Sequence, residues 1–145
     1  MSAEARSMAI EMKYFDGGKG ILWRASGTLT GEDLLSANKE MFSRDLVAEP
    51  YHYGLFDSTD VTEVKVSAET MSENAMEDVS EARRMPNFVY AIYAKDDVTF
   101  GFARMWETLV SESGWATHTF RTRSDAVEWL KAQVATKFGY QISLE

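Results

Sequence analysis

Phe88-Val-Tyr-Ala-Ile-Tyr-Ala94 is a continuous apolar run of strand length, without a charged residue in it. Such a run fits a central strand of a parallel sheet, covered on both faces. The sequence on either side reads as helix. Upstream, Ser67 stands at a helix start, and Met71, Ala75, Val79 and Ala82 recur on one stripe until Pro86 closes the segment. Downstream, Asp96 and Asp97 lead into a helix with Phe102, Met105, Trp106, Leu109 and Val110 on its buried side, stopped by Gly114.

Farther out the alternation continues. Tyr53-Gly-Leu-Phe-Asp57-Ser-Thr-Asp60 follows Pro50 and ends an apolar strand, expected over Tyr51 to Phe56, on a carboxylate and two hydroxyls. A polar spacer then leads to Ser67. Before that strand, Thr30 reads as an N-cap with Glu32 and Asp33 in the first turn, where carboxylates favour the helix dipole. Leu34, Leu35, Asn38, Met41 and Phe42 follow at helical spacing. On the far side, Trp115 to Arg121 alternate as an edge strand would, and Ser124 is the expected cap of a last helix with Ala126, Val127, Leu130 and Val134 facing inward. At the other end, Met8 to Phe15 alternate with period two. Asp16-Gly-Gly-Lys-Gly20 supplies a tight connection to Ile21–Ser26, so the two strands should pair as an antiparallel hairpin. Residues 1–7 read as a flexible tail, and Phe138 to Glu145 as a short tail that packs or frays.

A hairpin followed by strands that each lead into a helix implies an α/β domain with a mostly parallel sheet and right-handed crossovers. With 145 residues, and no internal repeat or linker, residues 1–145 are expected to form one domain. The chain has no cysteine, which excludes disulfides and thiolate chemistry. A net charge of −8 argues against nucleic acid or an anionic membrane as partner. No apolar run approaches the roughly 20 residues that span a bilayer. Residues 1–7 lack the apolar core of a secretion signal, so a cytoplasmic location is expected.

The hairpin, Leu29-Thr-Gly-Glu-Asp33, Tyr53 to Asp60, and Phe120-Arg-Thr-Arg-Ser-Asp-Ala-Val-Glu-Trp-Leu130 together resemble the SpoIIAA-like, or STAS-like, superfamily, over about residues 8–135. Within it the chain looks similar to an uncharacterised bacterial STAS/SEC14-like branch. The resemblance implies a right-handed βα superhelix. In it, a five-stranded mixed sheet opens on the antiparallel hairpin, continues with parallel strands, and carries about four helices largely on one face. STAS domains are mostly non-enzymatic regulators whose switch is a phosphorylatable hydroxyl in an Asp-Ser-Ser-Gly motif at a helix start. Here Asp57 matches the family's strand-end carboxylate and Ser67 falls near the switch position, where the chain reads Lys65-Val-Ser67-Ala68. The SEC14-like relation implies an apolar ligand.

The candidate residues follow from these placements. Asp57, Ser58, Thr59, Lys95 and Arg121 all end parallel strands and should share one sheet edge, where open α/β sheets bind ligands or partners. The same Asp, Ser and Thr side chains also serve as turn formers. Ser67 is either a phosphate acceptor or an N-cap. Met76, Phe100 and Trp129 fall off or beside their helix stripes and suit an apolar pocket or a dimer contact as well as ordinary packing. His52 and His118, the two histidines, lack partners at ligand spacing, so neither a metal site nor a cofactor is expected. No catalytic constellation is present. Three functions stay open: a non-catalytic regulatory module with a protein partner or a second copy, a binding domain for a small apolar or amphipathic molecule, and an acid/base enzyme using Asp57.

Overall fold

The computed structural model describes residues 9–144. The tail expected over residues 1–7 lies outside the described residues, as do Met8 and Glu145. Five strands, β1 (Ile10–Phe15), β2 (Gly20–Thr30), β3 (Tyr53–Lys65), β4 (Val89–Tyr93) and β5 (Ala116–Phe120), form one sheet in the order β1-β2-β3-β4-β5. The β1–β2 pair is antiparallel and every later pair is parallel. Four helices follow in turn, α1 (Gly31–Met41), α2 (Ala68–Glu81), α3 (Asp97–Leu109) and α4 (Arg123–Phe138). This is the mixed sheet and helix complement that the SpoIIAA-like resemblance implies.

The sheet grows in one direction. Crossovers of one hand must therefore lay α1, α2 and α3 on the same face. That face buries Ile21, Trp23, Phe56, Phe88, Ile92 and Trp106 among others. The opposite face takes α4, whose Ala126, Val127, Leu130 and Val134 pack on Leu22, Tyr53, Leu55, Val89, Ala91 and Tyr93. Successive residues of β4 thus feed two cores, which is why Phe88–Ala94 has no polar alternation. The C-terminal tail packs, with Ile142 and Leu144 buried in the α4 core.

Four elements depart from the sequence expectation. β3 does not end at Phe56 but runs on to Lys65, paired with a β2 that itself extends past Ser26 to Thr30. β4 stops pairing at Asp57↔Tyr93, so beyond that point β2 and β3 continue as a two-stranded ribbon. Polar pairs bridge it, Arg24 to Asp60 at 3.4 Å and Thr28 to Glu63 at 3.2 Å, and register shifts at Arg24/Ser26 and Gly27/Thr28 bend it. A polar, β-branched stretch makes a good ribbon because neither strand face there needs a full core. The cap of α4 is Thr122, not Ser124: the Thr122 hydroxyl accepts from Asp125 N at 3.2 Å, which puts Ser124 inside the first turn. Leu109 is exposed, since α3 lies down on Thr99, Ala103 and Trp106. The Thr30 cap is present as a full capping box with Asp33, whose other carboxylate oxygen also accepts from Ala9 N at 3.2 Å.

Candidate ligand recess and the strand-end edge

The residues expected at the sheet edge do sit at neighbouring strand ends, because Asp57, Tyr93 and Phe120 are in register across β3, β4 and β5. They do not converge on a cleft. The Asp57 carboxylate is buried, accepting from the Thr59 amide at 2.9 Å, from the Thr59 hydroxyl, and from Arg123 Nε at 2.9 Å. Burial pushes its pKa up, but these hydrogen bonds and the Arg123 charge outweigh burial and hold the group below the usual carboxylate range. Ser58 is buried and donates to the Tyr93 carbonyl at 2.6 Å. Arg121 pairs with the exposed Asp97 at 2.8 Å and lies over the Phe100 ring at 3.9 Å. Lys95 is exposed. The cation that meets Asp57 is neither Lys95 nor Arg121 but Arg123, the first residue of α4, whose guanidinium reaches the inward-turned carboxylate.

Ser67 is the N-cap of α2, accepting from Thr70 N at 3.0 Å, and is exposed. Met76, Phe100 and Trp129 stand apart. Met76 is on the outer side of α2, 72% exposed; Phe100 lies under Arg121; Trp129 packs with His118 and Phe120 on the α4 side of the sheet. They form no common pocket. His52 stacks on Phe138 at 3.9 Å and has Tyr140 Oη 3.0 Å from Nδ1; burial, with the Lys19 charge, lowers its pKa. Among the described residues no group of three side chains is placed to hold a metal ion.

The structure gathers a different set. Between the sheet and the three-helix layer lies a half-open recess with a cavity volume of about 70 Å³. Its floor is aromatic. Trp23, Phe56 and Tyr90 rise from neighbouring strands, with Ile92 beside them. Gly54 makes this possible: a Cβ there would come within 2.6 Å of the Trp23 ring, so only glycine lets the indole lie across β3. Tyr90 stacks on Trp23 at 5.0 Å and meets the edge of Trp106 at 4.9 Å. The helices close the roof with Met71, Ala103 and Trp106, while the partly exposed Leu34, Asn38 and Phe102 stand at the rim.

Polar groups are built into this apolar setting. Asp78, buried on α2, accepts from Trp106 Nε1 at 2.8 Å and from Asn38 Nδ2 at 3.0 Å. Burial drives its pKa up to about 7 against the pull of those two donors. One turn before it, Asn74 lines the recess at 6% exposure, and its Oδ1 has no hydrogen-bond partner among the described residues. Buried polar atoms are nearly always satisfied, and an orphan costs about 1–3 kcal/mol.

The apolar stripe that marks α2 in the sequence, Met71, Ala75, Val79 and Ala82, passes over Asn74 and Asp78. The buried set is Met71, Asn74, Ala75 and Asp78. Two polar residues at apolar positions, together with Asn38 on the stripe of α1, were the available signal.

The sheet order and helix placement make this an α/β fold built on one mixed sheet, the arrangement that the SpoIIAA-like resemblance implies. The structure is similar to an uncharacterized protein of the DUF3478 family with a SpoIIAA-like fold from Shewanella loihica PV-4. The two are 20% identical, with 84% of this chain and 92% of that chain covered, at a TM-score of 0.48. No family model matches the sequence, and no curated protein matches it.

Proposed function

We propose that this protein is a non-catalytic binding module whose recess between the sheet and α1–α3 takes a small amphipathic molecule. The observation that carries this is the orphaned Asn74 Oδ1, held in an aromatic recess that opens at a rim of partly exposed side chains. Ligand sites combine a mostly apolar wall with a few placed polar groups. The recess has that composition and the strand-end edge does not. There, the Asp57 carboxylate is occupied by Thr59 and Arg123, which also removes the support for Asp57 as a general base. A regulatory role through a protein partner or a second copy, as STAS-like domains perform, is compatible with this reading: occupancy would bias the packing of α1, α2 and α3, and a partner would read that surface. No helix among the described residues is long and apolar enough to cross a membrane.

Native mass spectrometry on freshly purified protein tests the proposal, because it reports bound small molecules and oligomeric state together. An adduct of one small molecule per chain, absent from an Asn74→Trp variant that fills the recess, supports it. Protein free of adduct that also gains none when incubated with a library of small amphipathic compounds speaks against it.

A further inference from the structure

The polar inventory of the recess narrows what it accepts. Resting on the recess being the ligand site, we infer that its ligand presents an uncharged hydrogen-bond donor, a hydroxyl or an N–H on a small aromatic body, with the donor placed on Asn74 Oδ1.

The atom left open is an acceptor. The neighbouring donors are engaged elsewhere: Asn38 Nδ2 lies within hydrogen-bond distance of Asn74 O, Glu77 Oε1 and Asp78 Oδ1, and Thr99 Oγ1 donates to Asp96 Oδ2 at 3.1 Å. A buried water needs about two to four polar partners. Asn38, Thr99 and Tyr90 carry the other polar groups of the lining, and a ligand donor on Asn74 Oδ1 would take the place of a bridging water. A carboxylate or phosphate would meet an acceptor rather than a donor, with the Asp78 carboxyl one helical turn away. A plain hydrocarbon would fill the space but leave Asn74 Oδ1 unpaired, at the cost of a lost hydrogen bond. The walls favour a ring. Trp23, Phe56, Tyr90, Phe102 and Trp106 present faces and edges around the space, and aromatic pairs gain from offset and edge-to-face contacts.

Phenol, anisole, toluene and benzoate are close in shape and differ in the chemistry at issue. Isothermal titration of each into the protein should show phenol binding about tenfold more tightly than anisole or toluene, and benzoate not binding. In Asn74→Leu the phenol preference should fall to about unity while toluene still binds, the value expected once the Asn74 acceptor is removed. Phenol, anisole and toluene binding equally well would overturn the donor requirement and leave the recess standing as a ligand site. Benzoate binding as tightly as phenol would overturn the uncharged class. A preference for phenol that persists in Asn74→Leu would overturn the role of Asn74. Failure of all four to bind would overturn both the inference and the proposed function. The comparison on the unaltered protein decides the ligand class even if the variant does not fold.

Discussion

Trp106 Nε1 donates to Asp78 Oδ2 across 2.8 Å, and both residues are almost wholly removed from solvent. The bond ties α3 to α2 over the recess. It also fixes the price in stability of keeping a carboxyl in the core, and that cost depends on pH.

The Asp78 pKa is raised from its ordinary 3.8 to about 7. Between those values the folded state holds a proton that the unfolded state has lost. Stability therefore falls as pH rises from about 4 to about 7 and levels off above, a change on the order of 4 kcal/mol. Asp78→Asn should remove that slope, because an amide accepts from Trp106 at every pH and Asn38 can turn its own amide over to face it. Urea denaturation at about pH 5 and about pH 8 measures it. The variant is expected to gain relative to the native sequence at the higher pH, and equal slopes in the two proteins would count against a buried, protonated Asp78.

Trp106→Phe keeps most of the packing and deletes the donor. It should cost about 1–3 kcal/mol. The loss should be larger near pH 8, where the carboxyl is ionised, than near pH 5. Thermal melts across that range check the direction, and a pH-independent loss would mean that only packing was disturbed.

At the strand ends, stability should separate residues that the sequence places together. Asp57 is buried with charged and neutral donors on it, so Asp57→Ala should cost about 2–4 kcal/mol by orphaning those donors and the Arg123 charge. Its pKa is held low, so this contribution is present above the ordinary carboxylate range and is lost as pH falls through the folded-state pKa. Lys95→Ala, at an exposed position, should change stability by less than about 0.5 kcal/mol. Similar small effects from both substitutions would show Asp57 to be solvated.

Ser67→Ala should lower stability by about 1 kcal/mol, while Ser67→Asp should nearly preserve it, since aspartate caps a helix as well as serine does. The two variants also separate a cap from a phospho-switch. Loss of binding to a partner in Ser67→Asp alone, with the fold intact, would assign Ser67 the switch.

The strands and the four helices were legible because burial imposes period: α4 shows its inward stripe directly, and β4 shows none because it is covered on both sides. The extension of β3 was hidden because Thr59 to Lys65 is polar enough to read as a spacer, and only its pairing with β2 makes it strand. The strand-end edge was legible as a place but not as a chemistry. Whether Asp57 turns outward to a ligand or inward to Thr59 and Arg123 is decided by side-chain geometry that pattern does not carry. The recess was the least legible feature, because it exists only where Asn38, Asn74 and Trp106, from three helices, meet above Trp23 and Tyr90.

The most direct measurement of the central claim uses methionine methyls as reporters. Met71 lines the recess, and Met76, one turn and a half along the same helix, is 72% exposed on its outer side. With methyl-labelled methionine, carbon–proton correlation spectra recorded while phenol is titrated in should show a saturable shift of the Met71 signal and an unmoved Met76 signal. A Met71 signal that stays fixed while phenol rises, or shifts that appear only at Met76 and other exposed methyls, would contradict a ligand-binding recess beneath α1, α2 and α3.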